Sequence, residues 1–299
     1  MRAAVVAAIV TAGCGGGHWT NTVQTPRATL AEVGAPHLAV VVASEHGLSR
    51  VFLDTGHAET LTENTDAMAI DAATLLLIED GHYVIERGTT RIAVDGVAAP
   101  HLALVAPDRR HLATTEDRTI VVIDVADGKV ARHPIAARGS VTNSSLNIAW
   151  APTSDAVIVD DDGAYLRLDL ASGAVSPADK LDYRLTSQSD ALTCPARGFK
   201  LERRWTHGQQ IILVPIASTA SPEELSAVES RVLVEATDLP SRGGDGAINL
   251  GKKQPQPLGL GVLTPSCEHF VFDLEGKVYV GSIATGRIAY LAPGWGPVL

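Results

Sequence analysis

Aromatic rings are scarce in this chain: Trp, Tyr and Phe together make up 4% of its 299 residues. A carbohydrate platform or an RNA-stacking surface is richer in rings, so neither is expected, and the core must be built from Val, Ile, Leu and Ala. Positive charge is short as well. The formal net charge is -10 and the pI about 5.4. Nucleic acid and anionic membrane both require basic patches, so neither is expected as a partner. Apart from one N-terminal run, no apolar stretch approaches the ~20 residues of a membrane-spanning helix. Motifs of common chemistry are missing too. There is no HExxH, CxxC, GxSxG or P-loop, and no GxGxxG after a strand. Gly259-Leu260-Gly261 precedes a strand with no helix to follow. No catalytic residue, cofactor or metal ligand is assigned.

What is present is repetition. Ala106-Pro107-Asp108, His111 to Thr114 and Thr119 to Gly128 form one copy of a pattern. Ala151-Pro152, Ala156 to Val159 and Tyr165 to Gly173 form the next. Proline to glycine is 21 residues in both, and the two prolines are 45 apart. Several short strands at a pitch of about 40–45 residues are the mark of a β-propeller. Pro265 to Gly286 and Pro36 to Gly56 extend the pattern outward. A hairpin mark follows each proline at Gly47, Gly163 and Gly276, with an acidic residue or His before it. Gly81 after Glu79-Asp80, Arg118 after Glu116-Asp117, and a blurred copy at Thr206-His207-Gly208 bring the count to six. Acid-Gly between apolar runs specifies a tight hairpin.

The expectation is therefore all-β: a single propeller of six blades, with seven as the alternative. The innermost strands are placed at Ala103–Val105, Ile148–Trp150 and Gly261–Leu263. The first two units have a short pitch, which predicts stunted outer strands. The last gap is too long, which predicts an insertion over Ser218–Pro257. It opens helix-like at Ser221-Pro222-Glu223-Glu224 and includes a strand over Arg231–Glu235. Residues 19–33 read as an exposed lead-in carrying a strand that closes the ring.

The run Ala106 to Val130 resembles the repeat of WD40-like and YVTN-type bacterial β-propellers. Pro107-Asp108, Leu112-Ala113-Thr114, Val121 to Ala126 and Gly128-Lys129 carry the resemblance. It implies a ring of four-stranded blades around an axis, and no catalytic residue. At the N-terminus, Arg2 precedes the eight-residue apolar run Ala3 to Val10, then Thr11-Ala12-Gly13-Cys14. This resembles the lipobox of bacterial lipoproteins, although Thr11 replaces the usual Leu or Val. The resemblance implies a signal peptide over 1–13, lipidation at Cys14 and a tether over 14–30, ahead of a propeller over 31–299. The alternative is an ordinary signal peptide with an incidental cysteine.

The remaining cysteines, Cys194 and Cys267, form an even pair that an exported chain is able to oxidise. Asp160-Asp161-Asp162-Gly163 has the density of a calcium loop but not its spaced ligands or distal Glu, and is read as a solvated hairpin. His37, His111 and His269 recur just after the repeat prolines, which suits a scaffold role better than a shared metal. Arg242, Lys252 and Lys253 in the insertion stand out against an acidic chain and are the candidate partner-binding residues. Together these features point to an envelope-anchored module that binds or scaffolds envelope proteins, with the lipid as its sole membrane contact. The alternative is a propeller-type hydrolase or lactonase with a metal at the axial mouth.

Overall fold

The structure is a computed structural model that describes residues 22–23, 27–99, 101–136, 146–179, 192–205, 209–216, 230–237 and 258–299. The chain opens with β1 (Thr22–Val23) and a single helical turn, α1 (Leu30–Val33). Six antiparallel sheets follow, and they make a six-bladed β-propeller. Blade one holds β2 (Ala39–Ser44), β3 (Gly47–Phe52) and β4 (Ala58–Thr62). Blade two holds β5 (Ala67–Asp71), β6 (Thr74–Glu79), β7 (His82–Arg87) and β8 (Thr90–Ala98). Blade three is β9 (Leu104–Val105), β10 (His111–Glu116), β11 (Thr119–Asp124) and β12 (Val130–Pro134). Blade four is β13 (Asn147–Trp150), β14 (Ala156–Asp161), β15 (Ala164–Asp169) and β16 (Val175–Pro177). Blade five is β17 (Leu192–Cys194), β18 (Phe199–Trp205), β19 (Gln209–Pro215) and β20 (Arg231–Thr237). Blade six is β21 (Gly259–Leu263), β22 (His269–Leu274), β23 (Lys277–Ser282) and β24 (Ile288–Pro293). The last strand, β25 (Trp295–Val298), returns to pair with β2 as the innermost strand of blade one.

The middle strands are apolar at successive rather than alternate positions because each blade lies between two others. Both faces of such a strand are buried. Ala156, Val157, Ile158 and Val159 are all at most 1% exposed, as are Val40, Val41 and Val42. Alternation sends Val157 and Val159 toward blade three and Ile158 the other way.

The sequence reading needs correction at four places. Ring closure comes from β25, not from the N-terminal segment. β1 instead pairs antiparallel with β20 as a fifth strand on the outer edge of blade five. Where the repeat would put an inner strand before Pro36, the chain forms α1. A capping box holds it, with Thr29 and Glu32 each accepting from the other's backbone N–H. The outer strands of the first two blades are also complete. Their pitch is short because the connections to the next blade are short, 63–66 and 99–103, against 135–146 and 178–191 later. Finally, β20 lies inside the stretch 218–257 but is the fourth strand of blade five. The other residues of that stretch, apart from Ser230, lie outside the described residues.

Two kinds of corner carry the repeat. At the first-to-second strand turn, the residue two after the proline is left-handed in three blades: Arg109 (φ 61), Ser154 (φ 61) and Cys267 (φ 54). In each, its N–H donates to the carbonyl of the residue before the proline. At the second-to-third strand turn, Asp80-Gly81, Asp162-Gly163 and Glu275-Gly276 have positive φ at both positions. That is the type I′ hairpin, whose twist matches the strands it joins. Gly47 differs. The turn there is Glu45-His46, and Gly47 begins β3 at φ 105, where a Cβ would overlap the Thr62 carbonyl of β4.

Candidate interaction face

Strands alternate in direction, so each kind of turn keeps to one face of the ring. The lower face gathers the first-to-second and third-to-fourth strand turns. The third-to-fourth turns of blades one, three, four and six are short and nearly identical, whereas in blade five that connection spans 216–230. Gly56, Gly128, Gly173 and Gly286 each donate an N–H to the residue four before, and Leu53, Val125, Leu170 and Ile283 each donate to the neighbouring corner. Two of their acids cap the backbone: Asp124 Oδ1 accepts from Ala126 N at 2.7 Å and Asp169 Oδ1 from Ser172 N at 2.8 Å.

The upper face gathers the acidic hairpins and every blade-to-blade connection. The strand ends joined by 135–146, 178–191 and 238–258 all open here, on the side of blades three to six. Asp80, Asp117 and Asp162 project from the hairpin tips, exposed. Glu79 is paired with Arg91, and Glu116 lies 3.4 Å from Arg132. Exposed Trp295 stands where the innermost strand of blade one begins.

One acid of the Asp160–Gly163 run departs from the solvated reading. The Asp161 side chain is 3% exposed, and the Arg118 guanidinium grips it with both ends, Nη1–Oδ1 at 3.0 Å and Nη2–Oδ2 at 2.6 Å. Arg118 occupies the glycine slot of the blade-three hairpin, so the pair bolts blades three and four together. The carboxylate raises the Arg118 pKa, chiefly through these hydrogen bonds. Asp160 and Asp162 are ordinary hairpin acids; Asp160 Oδ1 caps Gly163 N at 2.8 Å.

A second polar pin lies at the closure between blades six and one. Asp273 is buried, and its Oδ1 accepts from Gly296 N at 3.1 Å. Gly259 leaves the space, since a Cβ there would overlap the carboxylate. Burial raises the Asp273 pKa, while the Gly296 N–H and the Arg203 charge pull it down. Burial in turn lowers the Arg203 pKa. A native carboxyl with a raised pKa holds its proton to higher pH than the unfolded chain does. Its stabilising term is therefore full below the ordinary aspartate value and is lost as pH rises through the raised one. Asp273→Asn keeps the acceptor and removes the charge. Its melting temperature is expected to match wild type near pH 3 and to exceed it at pH 7. A variant that trails wild type at pH 7 overturns this account of Asp273.

The predicted site residues fall as follows. Cys194 and Cys267 are joined in a disulfide with Cα atoms 6.2 Å apart, linking blade five to blade six. Cys14, Arg242, Lys252 and Lys253 lie outside the described residues, as does the turn at Thr206 to Gly208. The three repeat histidines do not converge. His37 Nδ1 is 2.9 Å from Asp54, His111 stacks at a tilt on Trp150, and His269 Nε2 donates to the Val33 carbonyl at 3.1 Å. Among the described residues, no three His, Cys, Asp or Glu are grouped to hold a metal ion. No helix among them is long and apolar enough to cross a membrane.

No protein-family model matches the chain, and no curated protein matches it. It is similar to the solved structure of a protein described as a TolB from Agrobacterium tumefaciens. The two are 12% identical with a TM-score of 0.37, over 86% of this chain and 90% of that one. A functionally unknown protein from Desulfotomaculum acetoxidans is 15% identical at a TM-score of 0.37, over 86% of this chain and 80% of that one. The dihydro-heme d1 dehydrogenase NirN is 16% identical at a TM-score of 0.38, over 93% of this chain but 61% of that one.

Proposed function

We propose that this chain is a binding or scaffolding propeller of the bacterial cell envelope. A lipid on Cys14 holds it there, and its upper face engages a protein partner. One observation carries the reading: three of the four long connections, 135–146, 178–191 and 238–258, leave the same face, and one, 216–230, leaves the opposite face. Long connections on a rigid scaffold are where recognition concentrates. The sequence of the connection 238–258 contains Arg242, Lys252 and Lys253, and the strands it joins end on a face whose hairpin tips are acidic. The disulfide supports the address, because such bonds persist in oxidising compartments.

The test uses the full chain in its host envelope. Crosslinking followed by mass spectrometry is run on wild type, on Cys14→Ser and on a variant with Gly243 to Gln256 replaced by a short Gly-Ser linker. The expected result is a lipid-modified Cys14 N-terminus, a soluble Cys14→Ser protein, and a deletion variant that folds but loses its crosslinked partner. A deletion variant that keeps the partner moves the function off this connection. A Cys14→Ser protein that stays in the membrane ends the anchor proposal.

A further inference from the structure

Five of the six junctions between neighbouring blades are sealed by an apolar cluster drawn from both sides. Val41, Leu48 and Leu75 seal one to two; Tyr83, Ile85 and Leu112 two to three; Ile120, Val157 and Val159 three to four. Phe199, Leu201 and Phe270 seal five to six, and Val271, Val40 and Leu291 seal six to one. No such shared cluster spans blades four and five among the described residues. On that side of blade five, the buried apolar group is Ile212 with Val214.

The cause is the alternation of β18. Phe199 and Leu201 point to blade six, so Lys200, Glu202 and Arg204 point to blade four. Glu202 and Arg204 are each only 9% exposed. Lys200 pairs with Glu202 Oε1. Arg204 Nε donates to Gln210 Oε1 at 2.8 Å and its Nη1 to Ser230 Oγ at 3.1 Å. Gln210 Nε2 donates to Glu235 Oε1 at 3.0 Å. These four contacts run within blade five. The second Glu202 oxygen is buried without a hydrogen bond.

We infer that the ring opens at the junction of blades four and five. Separating an apolar cluster exposes surface at about 25 cal/mol per Å². Separating a charged network restores hydration that burial had removed, so the opposing cost is smaller. The other junctions of the moving part are held: the disulfide ties blade five to blade six, and β25 ties the ring's two ends through blade one. Opening parts β13 from β17 and exposes the axis from the side.

The test puts a thiol on either side of β14. Ile158 and Val159 are adjacent, 1% and 0% exposed, and face blade five and blade three respectively. In a Cys14→Ser background with the native disulfide intact, Ile158→Cys and Val159→Cys are reacted with a soluble disulfide reagent under native conditions. The Ile158→Cys thiol is expected to react at least tenfold faster. Adding Lys200→Met and Glu202→Leu, which makes the junction apolar, is expected to abolish that difference. Should either single variant fail to fold, Ala156→Cys and Val157→Cys, both 0% exposed, repeat the comparison. Equal rates on the two faces, or a difference untouched by the apolar substitutions, overturn the inference.

Discussion

Removing the disulfide lowers the stability of this propeller by about 2–4 kcal/mol in the chain-entropy picture, a fall of roughly 10 °C in melting temperature for a domain of this size. The effect is large because Cys194 and Cys267 are 73 residues apart. Nearly two blades of unfolded chain are constrained by one bond. Cys194 is fully buried in the cluster between blades five and six, so Cys194→Ala also loses packing. Cys267 occupies the left-handed corner at φ 54, where glycine is relaxed and alanine is not. Cys194→Ala with Cys267→Gly should therefore be more stable than Cys194→Ala with Cys267→Ala, though both fall below wild type. Reductant should lower wild type toward the variants and leave both variants unmoved. A wild-type melting curve indifferent to reductant, or double variants as stable as wild type, would show that the bond contributes nothing.

The fold was legible because its corners are written in residue types with backbone consequences. A proline followed two residues later by a left-handed position, then an acid-glycine turn, then a glycine-closed turn, recur at nearly constant spacing. The parts missed have no such mark. β25 follows the last repeat as Trp-Gly-Pro-Val, a stretch without alternation whose Gly-Pro reads as a turn, and its role is set by the other end of the chain. β18 made its copy look blurred because the face it turns to blade four is charged where the other blades are apolar. Asp161 was hidden among hairpin acids, since no local pattern tells a buried carboxylate from its solvated neighbours. The available signal lay in another repeat, where Arg118 replaces the glycine that Gly81, Gly163 and Gly276 supply. A long cation in a turn slot implies a partner, and the ring geometry puts Asp161 opposite it.

That pair carries the second large effect. Arg118→Ala is expected to cost about 3–5 kcal/mol, because it takes the two-pronged guanidinium contact away from the buried Asp161 carboxylate. The figure is higher than for an exposed ion pair, typically about 0–1 kcal/mol, because Asp161 is 3% exposed and held by a two-pronged contact. Arg118 is 23% exposed, so the converse change is milder: in Asp161→Ala the freed guanidinium turns to water and keeps its contacts to the Ile135 and Ala136 carbonyls. Changing both, Arg118→Ala with Asp161→Ala, removes the charge problem altogether and should recover most of the loss. Urea unfolding of the three variants and wild type gives the coupling directly. The expected order of stability is wild type, then the double variant or Asp161→Ala, with Arg118→Ala last. If Arg118→Ala unfolds within about 1 kcal/mol of wild type, the range of an exposed pair, then blades three and four are joined by their apolar cluster alone and the clamp is incidental.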